Sequence, residues 1–365
     1  MSSEPPAIDR QAAFSGTREV APALAVDVGR LQTYLAAHLP GFAGPVTLRQ
    51  FKGGQSNPTY LVETPQRVYV LRRKPPGRLL ASAHAVDREF RVMRALFAQG
   101  FPVAEPLVYC GDEAIIGTAF YVMAHVDGRV IWEPAVPGVS IAERGAVFDA
   151  MNATIARLHA FDPAVIGLAD FGRAQGYVAR QVRRWSEQYR ASSDEAIAEM
   201  DRLMAWLPDH VPDSPRAAVV HGDFRLDNLI LAKDRPQVLA VIDWELATLG
   251  DPIADFVYHL MTWVMPPAPT GAGVGSLVGV DLAALGIPTL EDYAATYARR
   301  AGLTEIPHLD TYLAYNFFRL AAICRGIAGR VRDGTATSDS AALMATQVRP
   351  LAATAWRYAQ KAGAR

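Results

Sequence analysis

The sequence is poor in cysteine, with only Cys110 and Cys324 among its 365 residues. Two thiols so far apart in sequence imply neither a disulfide framework nor a thiolate metal site, and they fit a reducing cytoplasm. Residues 1–20 also lack the basic start and apolar stretch of a secretory signal. We therefore expect a cytoplasmic protein.

A long hydrophobic run is missing as well. The longest uncharged stretch, around residues 261–280, is broken by prolines and glycines, so it predicts a loop rather than a membrane span. Neither sign of charge dominates, since 36 lysines and arginines face 37 aspartates and glutamates. We expect neither a membrane nor a nucleic acid as a partner, and the sequence leaves the oligomeric state open.

The remaining composition is that of a globular protein. Half of the residues are hydrophobic and 20% are charged. A chain of 365 residues is long enough to form two lobes that share a sizeable core.

The most informative stretch is H-G-D-F-R-L-D-N at residues 221–228. Asp223 and Asn228 are spaced D-x-x-x-x-N within it, and Asp243 follows at a strand end. Phosphoryl transfer needs a base that orients a hydroxyl, and Asn and Asp oxygens that hold magnesium on nucleotide phosphates. The base and the metal-binding Asn of kinase catalytic loops have this same spacing. Three short apolar segments surround the loop and predict strands: residues 217–220, 229–231 and 238–242.

Together with I-D-W-E at residues 242–245, this octapeptide resembles the aminoglycoside phosphotransferase and choline kinase-like family of small-molecule kinases. By position, the resemblance implies that Asp223 is the catalytic base and that Asn228 and Asp243 are magnesium ligands. It implies that Arg225 is a cation near the transferred phosphoryl group. The residues alone leave another interpretation open, a buried polar turn in which Asp223 caps backbone N–H groups.

A glycine pair lies between two strand candidates, in K-G-G-Q-S-N-P at residues 52–58. Glycines allow a backbone turn to pass close to a ligand, although a plain hairpin turn is an equal alternative. No G-K-[ST] follows, so this is not a Walker loop. The resemblance makes it the loop over the nucleotide phosphates, with these residues at the nucleotide: Gly53, Gly54, Ser56 and Asn57.

The strand candidate at residues 67–73 ends in two cations, Arg72 and Arg73. A kinase places here a cation that reaches the phosphates and pairs with a helix glutamate. Glu89, beside the apolar stripe of a helix predicted over 84–99, is the expected partner. Arg72 stands where many kinases have lysine. A planar guanidinium thus replaces a compact ammonium at this position. The sequence leaves open which arginine faces inward, and solvated strand-end arginines are the alternative for both.

The resemblance also implies a hinge after the last strand of the first lobe. Adenine would bond to the backbone carbonyl of Ala124 and the N–H of Val126, with Met123 behind the ring. Backbone contacts leave no side-chain pattern, so these three assignments depend on the analogy alone.

The implied fold is α+β and bilobal, of the protein-kinase-like type, with a small antiparallel β lobe and a larger, mostly helical lobe. We expect a flexible arm over residues 1–24, a nucleotide-binding β lobe over 25–123 and a hinge over 124–128. The helical lobe, with the catalytic loop and the acceptor site, would take residues 129–365.

The implied reaction moves the γ-phosphoryl group of ATP, or of GTP, to a hydroxyl of a small molecule with the help of Mg²⁺. The phrases G-G-Q-S-N-P-T-Y and V-L-R-R-K-P-P-G look most like the branch that also occurs fused to acyl-CoA dehydrogenases. That branch implies hydroxyacyl-CoA-type acceptors bound in a basic, elongated groove. Cations outnumber carboxylates from Tyr293 onward, which disfavours a polycationic aminoglycoside acceptor, although such an antibiotic kinase remains an alternative.

Two further classes stay open at this point. One is a catalytically silent nucleotide-binding pseudokinase that acts as an interaction module. The other is a metal-dependent phosphohydrolase with His221, Asp223 and Asp243 as ligands, whereas the kinase interpretation makes His221 a residue that stabilises the loop.

Overall fold

An antiparallel sheet forms from the first third of the chain in the computed structural model, which describes residues 9–53, 57–76, 85–173, 175–192, 195–268, 275–332 and 341–365. Its strands are, in chain order, β1 (Thr17–Arg18), β2 (Thr47–Phe51), β3 (Thr59–Glu63), β4 (Val68–Arg73), β5 (Pro106–Cys110) and β6 (Phe120–Ala124). Across the sheet they follow the order β1-β2-β3-β4-β6-β5, and every neighbouring pair is antiparallel.

Helices precede, interrupt and follow this sheet. In chain order they are α1 (Arg10–Phe14), α2 (Val28–His38), α3 (Val86–Ala98), α4 (Glu113–Ile116), α5 (Ile141–Ala160), α6 (Tyr177–Ser192), α7 (Ala198–His210), α8 (Pro252–Leu260), α9 (Leu282–Leu285), α10 (Leu290–Arg300), α11 (Leu309–Arg332), α12 (Ala341–Ala345) and α13 (Val348–Lys361). In the second lobe, α11 packs against α6, α8 and α13.

The two faces of the sheet are buried by different partners. On the outer face, Leu31 and Leu35 of α2 pack with Phe120 in a separate cluster. On the inner face, Met93 and Leu96 of α3 belong to a cluster that continues into the helical lobe. A fully buried leucine stabilises the fold by roughly 1.5–3 kcal/mol, so this shared core holds the two lobes together strongly.

Two short antiparallel strand pairs carry the polar loop that dominates the sequence. They are β7 (Ala218–Val220) with β10 (Thr248–Gly250), and β8 (Leu229–Leu231) with β9 (Val238–Val241). Residues 221–228 therefore leave β7 and enter β8, while residues 242–247 connect β9 to β10. Both polar segments begin where a strand ends.

The expected α+β architecture, with a small antiparallel lobe and a larger helical lobe, is confirmed. The chain passes between the lobes after β6, where Gly128 lies against β8. A Cβ atom at Gly128 would come within 2.4 Å of the Leu231 carbonyl oxygen, so only glycine permits this approach. Within the residues that the structure describes, we find no helix with the length and apolarity to cross a bilayer.

The N-terminal residues differ from the loose arm that we expected over 1–24. Residues 9–24 form α1, the edge strand β1 and a turn of 3-10 helix at Pro22–Leu24, while residues 1–8 lie outside the described part. The backbone N–H of Lys52 donates to the Gly16 carbonyl at 3.1 Å. Strand pairing fixes this segment on the sheet, and a short polar sequence does not predict such pairing.

Pro208 lies inside α7, near its end, and the Val211 N–H still bonds to the Leu207 carbonyl at 3.0 Å. A proline close to a helix end removes one hydrogen bond, and here the buried Leu207 keeps the last turn in place. Near the end of the chain, Thr346 and Gln347 separate α12 from α13.

A buried histidine makes stability depend on pH. His259 in α8 is 2% exposed, and burial lowers its pKa to about 4 from an ordinary value near 6.5. In the unfolded chain, His259 therefore binds a proton below about pH 6.5. In the folded protein, the same side chain binds a proton only below about pH 4. The stabilising contribution is complete above pH 6.5 and is lost as the pH falls towards 4, by at most about 1.4 kcal/mol per pH unit.

We expect His259→Gln to flatten this acid-side slope, as measured by urea unfolding at a series of pH values between about 7.5 and 4.5. Carboxylates common to both proteins contribute equally, so the difference between the two curves isolates the histidine. Parallel curves for the wild type and the variant would contradict the assignment.

Candidate active site

The loop between β7 and β8 is fixed by its backbone rather than by its charged side chains. Asp255 on α8 accepts hydrogen bonds from the N–H of His221 at 2.8 Å and of Gly222 at 2.7 Å. Its carboxylate also lies 3.1 Å from Nε2 of His159. Burial acts to raise the pKa of Asp255, but these donors overcome it and hold the pKa below the usual range. Asp255 is therefore an ionised anchor for the loop.

Gly222 occupies a left-handed backbone conformation, with φ of 82°. A Cβ atom there would lie 2.9 Å from both Cβ and the carbonyl oxygen of Leu246. The Gly222 carbonyl accepts a hydrogen bond from Arg319 Nη2 at 2.9 Å. The loop turns sharply at this point, immediately before Asp223.

His221 is fully buried, and both of its ring nitrogens are engaged with backbone. Nε2 donates to the Ile242 carbonyl at 2.9 Å, and Nδ1 accepts from the Asp223 N–H at 3.2 Å. The ring thus ties the loop to the segment after β9. A histidine used in this way cannot also coordinate a metal.

The side chain of Asp223 is 21% exposed, and both of its carboxylate oxygens are held. Oδ1 accepts from Tyr258 Oη at 2.7 Å and lies 3.0 Å from Nε of Arg225. Oδ2 accepts from Nδ2 of Asn228 at 3.0 Å and from Nη2 of Arg225 at 3.4 Å. These contacts fix the plane of the carboxylate.

Arg225 divides its guanidinium between two carboxylates. Besides the contacts with Asp223, its Nη2 lies 3.4 Å from Oδ2 of the buried Asp227. Burial acts to lower the pKa of Arg225, but the two carboxylates, Asp223 first, outweigh it and raise that pKa. Burial raises the pKa of Asp227, against the opposing effect of Arg225.

Asn228 and Asp243 come together because β8 pairs with β9. The Ile242 N–H donates to the Asn228 carbonyl at 2.9 Å, which brings the next residue, Asp243, beside the loop. Nδ2 of Asn228 donates to the Asp223 carbonyl at 2.8 Å and to its carboxylate, so the amide oxygen Oδ1 is its remaining acceptor. Asp243 has φ of 66°, a left-handed conformation that aspartate tolerates better than most residues.

Arg72 joins the two lobes through a buried cluster of charges. Its Nε lies 2.9 Å from Oε2 of Glu89, its Nη2 lies 2.6 Å from Oδ1 of Asp243, and Glu245 is 3.4 Å away. Burial acts to lower the pKa of Arg72, but Asp243 and Glu89 outweigh it and raise it. Burial raises the pKa of Glu89, while Arg72 opposes that rise. The pair is 8% and 1% exposed at its side chains.

Arg73 lies on the opposite face of β4, as strand alternation requires. Its Nε donates to Oγ1 of Thr118 at 2.8 Å, and burial lowers its pKa. Of the two strand-end arginines, the one that faces the cleft is therefore Arg72, and neither is a solvated surface cation.

The predicted phosphate loop is described only in part. Gly54 and Ser56 lie outside the described residues. Gly53 packs beside the Trp132 ring, whose nearest atoms would meet a Cβ at 3.1 Å. Asn57 is fully buried, and its Nδ2 donates to Glu89 Oε1 at 2.8 Å. As placed, the Asn57 side chain supports the Arg72–Glu89 pair.

The predicted adenine contacts lie at the end of β6. Met123 is buried, whereas Ala124 and Val126 are half-buried, and Val126 packs against the shared core. The Ala124 N–H donates to the Glu105 carbonyl at 2.9 Å and is therefore already used. The predicted adenine contacts are instead the carbonyl of Ala124 and the N–H of Val126.

A pocket opens beside the catalytic loop on the helical lobe. Arg225 and Asp227 form one wall, and its enclosed part measures about 30 Å³, room for little more than a water molecule. This compact pocket differs from the elongated basic groove that the sequence led us to expect. The remaining wall is mainly aromatic and apolar, with contributions from Trp132, Phe148, Met151, His259 and Trp263.

Several contributors to the site were missed by the sequence analysis. Tyr258 touches Asp223 from 35 positions away, and Glu245 and Trp132 join the site through tertiary packing. Tyr258 lies seven residues after Asp251, which caps α8 through the Ile253 N–H at 2.9 Å. Helix phase from that cap is the signal that could have placed Tyr258 on the face towards the loop.

The arrangement of a β lobe, a helical lobe and a buried cation–carboxylate cluster between them defines a protein-kinase-like phosphotransferase fold. The family profile described as "Phosphotransferase enzyme family" matches residues 47–303, and the chain belongs to this family. A Ralstonia eutropha protein provisionally named an aminoglycoside phosphotransferase is similar to it, with 45% identity and a TM-score of 0.83. That match covers 92% of this chain and 99% of the other.

Curated relatives extend the comparison. Acyl-CoA dehydrogenase family member 11 of Rattus norvegicus is 41% identical over 94% of this chain and 45% of its own length. Family member 10 of Mus musculus is 42% identical over 96% of this chain and 33% of its own length. The chain thus spans less than half the length of these relatives. A structure of an aminoglycoside phosphotransferase with ADP and hygromycin B shares the fold at 17% identity, covering 90% of this chain and 97% of the other, with a TM-score of 0.57.

The turn at Gly222 can be tested with a matched pair of alanine variants. Gly138 has a similar φ of 79° but open space around its Cβ position, whereas Gly222 faces the Leu246 backbone. We expect Gly138→Ala to cost about 1–2 kcal/mol from the left-handed conformation. Gly222→Ala should cost about 1–3 kcal/mol more because of the steric conflict. Urea unfolding measures both, and equal losses would contradict the tight approach to Leu246.

Proposed function

We propose that the protein transfers the γ-phosphoryl group of ATP to a hydroxyl group of a small molecule. The observation that carries the proposal is the contact of one guanidinium, that of Arg72, with both Glu89 and Asp243. Kinases of this fold need a cation oriented by a helix glutamate and next to the carboxylate that serves the metal. Membership in a phosphotransferase family supports the same reaction.

Asp223 is proposed to orient the acceptor hydroxyl and to accept its proton. It contacts Arg225, which lines the pocket, and its carboxylate is held in one plane by Tyr258, Asn228 and Arg225. A fixed carboxylate suits a loose transition state, in which positioning matters more than strong basicity. Arg225 would lie close enough to balance charge that develops on the phosphoryl oxygens.

Magnesium fits the oxygen atoms that this site offers. The amide oxygen of Asn228 and the carboxylate of Asp243 are hard ligands of the kind that Mg²⁺ prefers. The β8–β9 pairing brings the backbone of Asn228 next to Ile242, the neighbour of Asp243, and Nδ2 of Asn228 is already committed to Asp223. When bound, the ion would supply positive charge to the nucleotide phosphates. The solved relatives with ADP or an ATP analogue support nucleotide binding in this fold.

Arg72 is proposed to bind the phosphates, with Glu89 keeping its guanidinium in place. Gly53, Gly54, Ser56 and Asn57 are proposed to belong to the loop over those phosphates. Adenine is proposed to sit against Met123 and to bond to the backbone of Ala124 and Val126. ATP is the nucleotide that we propose, with GTP as the alternative for the same contacts.

For the acceptor, we propose a hydroxylated acyl-CoA or a similar acyl compound. The names of the relatives point to acyl-CoA chemistry, although the chain matches only 45% and 33% of the lengths of two of them. The aromatic wall of the pocket suits an acyl chain. An aminoglycoside would require free carboxylates, but the carboxylate of Asp227 is shared with Arg225 and Arg10. Opening of the pocket would have to accompany binding.

The other two classes are less well supported. A phosphohydrolase would need His221 on the metal, yet both of its ring nitrogens are bonded to backbone. Among the described residues no group of three His, Cys, Asp or Glu side chains could hold a metal ion. A silent pseudokinase would have no use for an Asp223 held so firmly beside a pocket.

An ATP-consumption screen tests the proposal. We expect turnover with hydroxyacyl-CoA esters that carry the hydroxyl at different carbons, and none with the matched acyl-CoA esters that lack it. Hygromycin B serves as the aminoglycoside comparison. Asp223→Asn should lower kcat by about 10²- to 10⁴-fold while ATP-analogue binding persists, because it removes only the proton acceptor. Full activity in this variant, or binding of nucleotide with no turnover on any acceptor, would contradict the kinase assignment.

The roles of the two strand-end arginines can be separated. Arg72→Met should weaken binding of the magnesium complex of AMP-PNP by at least about tenfold, which is 1.4 kcal/mol. It should also cost about 3–5 kcal/mol of stability, because Glu89 stays buried without its cation. Arg73→Met, on the other face of β4, should cost stability but leave nucleotide affinity unchanged. Calorimetric titration and urea unfolding measure the two effects, and equal losses of affinity would exclude a specific role for Arg72.

A further inference from the structure

The N-terminal segment, defined here as residues 9–18, is attached to both lobes beside the pocket. At one end, Nε2 of Gln11 donates to the Val130 carbonyl at 2.9 Å. Oε1 of the same side chain accepts from the backbone N–H of Trp132 at 3.1 Å. The Phe14 ring lies 5.0 Å from the Trp132 ring, centroid to centroid. This end therefore follows the first residues of the helical lobe.

At its other end, the N-terminal segment belongs to the β lobe. Thr17 pairs with Phe51 as part of β1, and its Oγ1 accepts from Nε of Arg49 at 2.9 Å. The segment thus spans the cleft on the side where Trp132 lines the pocket. Its position does not depend on a single contact, since main chain and side chains bind it at both ends.

Arg10 is the residue of this segment that reaches the catalytic loop. It is 8% exposed, and its Nη2 lies 3.9 Å from Oδ2 of Asp227, while its Nε lies 3.8 Å from Oε1 of Glu133. Asp227 is itself buried and lies 3.4 Å from Nη2 of Arg225. Charges buried this deeply must be balanced by neighbours. Arg10 is therefore one of the cations that balance Asp227.

These contacts form a chain of alternating charges that ends at the catalytic carboxylate. Arg10 faces Asp227, Asp227 faces Arg225, and Arg225 faces Asp223. Asp223 and Asp227 therefore share the guanidinium of Arg225. Without Arg10, the carboxylate of Asp227 would attract the Arg225 guanidinium more strongly. That guanidinium would then shift away from Asp223.

We propose that Arg10 is a positioning residue for phosphoryl transfer, because it balances Asp227 and thereby leaves Arg225 directed at Asp223. Its kinetic consequence rests on the function proposed above, whereas its effect on the Arg225 geometry does not. The ion pairs of Arg10 with Asp227 and Glu133 involve none of the proposed nucleotide contacts. Arg10 should therefore affect kcat and leave nucleotide affinity alone.

The first measurement is independent of the reaction. The Nε–H signal of Arg225 in a ¹⁵N spectrum, assigned with Arg225→Lys, reports the contact of that nitrogen with Asp223. We expect Arg10→Gln to shift or broaden it and Arg10→Lys to restore most of its position. Arg18→Gln is the matched control, since Arg18 is exposed on the same segment and should leave the signal unchanged.

The second measurement is kinetic. With an acceptor from the screen, or with water as acceptor in slow ATP hydrolysis, Arg10→Gln should lower kcat by about 10- to 100-fold, since small misplacements of catalytic groups have effects of this size. Its KM for ATP should stay within about twofold, a change worth less than 1 kcal/mol. Arg10→Lys should recover most of the rate, and Arg18→Gln should match the wild type. Arg10→Met, which keeps the aliphatic packing, replaces Arg10→Gln if that variant does not fold.

An unchanged Arg225 signal together with an unchanged kcat in Arg10→Gln would overturn the proposal. So would a loss in Arg10→Gln that Arg10→Lys does not relieve, because a role in packing alone would behave in that way. If the wild type transfers no phosphoryl group at all, the proposed function fails. The Arg225 signal alone then decides whether Arg10 positions the Arg225 guanidinium. An unchanged signal would refute that role of Arg10.

Discussion

The buried guanidinium of Arg72 is the interaction on which the rest of the site depends. A cation at this depth requires carboxylates, and they come from α3 through Glu89 and from the segment after β9 through Asp243. Three elements of two lobes must therefore meet at one point. The left-handed backbone of Asp243 and the buried amide of Asn57 both serve that meeting. The lobes are positioned by charge as well as by their common apolar core.

The loop between β7 and β8 has its own, separate support. Asp255 holds the loop backbone from α8, Arg319 binds the Gly222 carbonyl from α11, and His221 ties the loop to the residues after β9. None of these contacts uses the carboxylate of Asp223. The Asp223 side chain is thus presented by contacts that do not involve its own carboxylate, which would suit the proton-accepting role proposed for it.

Sequence reasoning succeeded where the determinants are local. The D-x-x-x-x-N spacing lies in one loop, so Asp223 and Asn228 were bound to be close, and strand alternation separated Arg72 from Arg73 once the sheet was known. It did not find Tyr258, whose contact with Asp223 comes from the packing of α8. The N-terminal residues were missed for a similar reason, because β1 is two residues long and depends on β2 for its existence.

Arginine rather than lysine at position 72 has a chemical consequence. A lysine contains a primary amine, which is a target of acetylation, whereas a guanidinium stays protonated at any working pH and does not act as a nucleophile. An enzyme that receives thioesters of coenzyme A exposes its interior to acylating agents at high local concentration. If the acceptor is the acyl-CoA compound proposed above, a guanidinium at position 72 would resist acylation by it where a lysine amine would not.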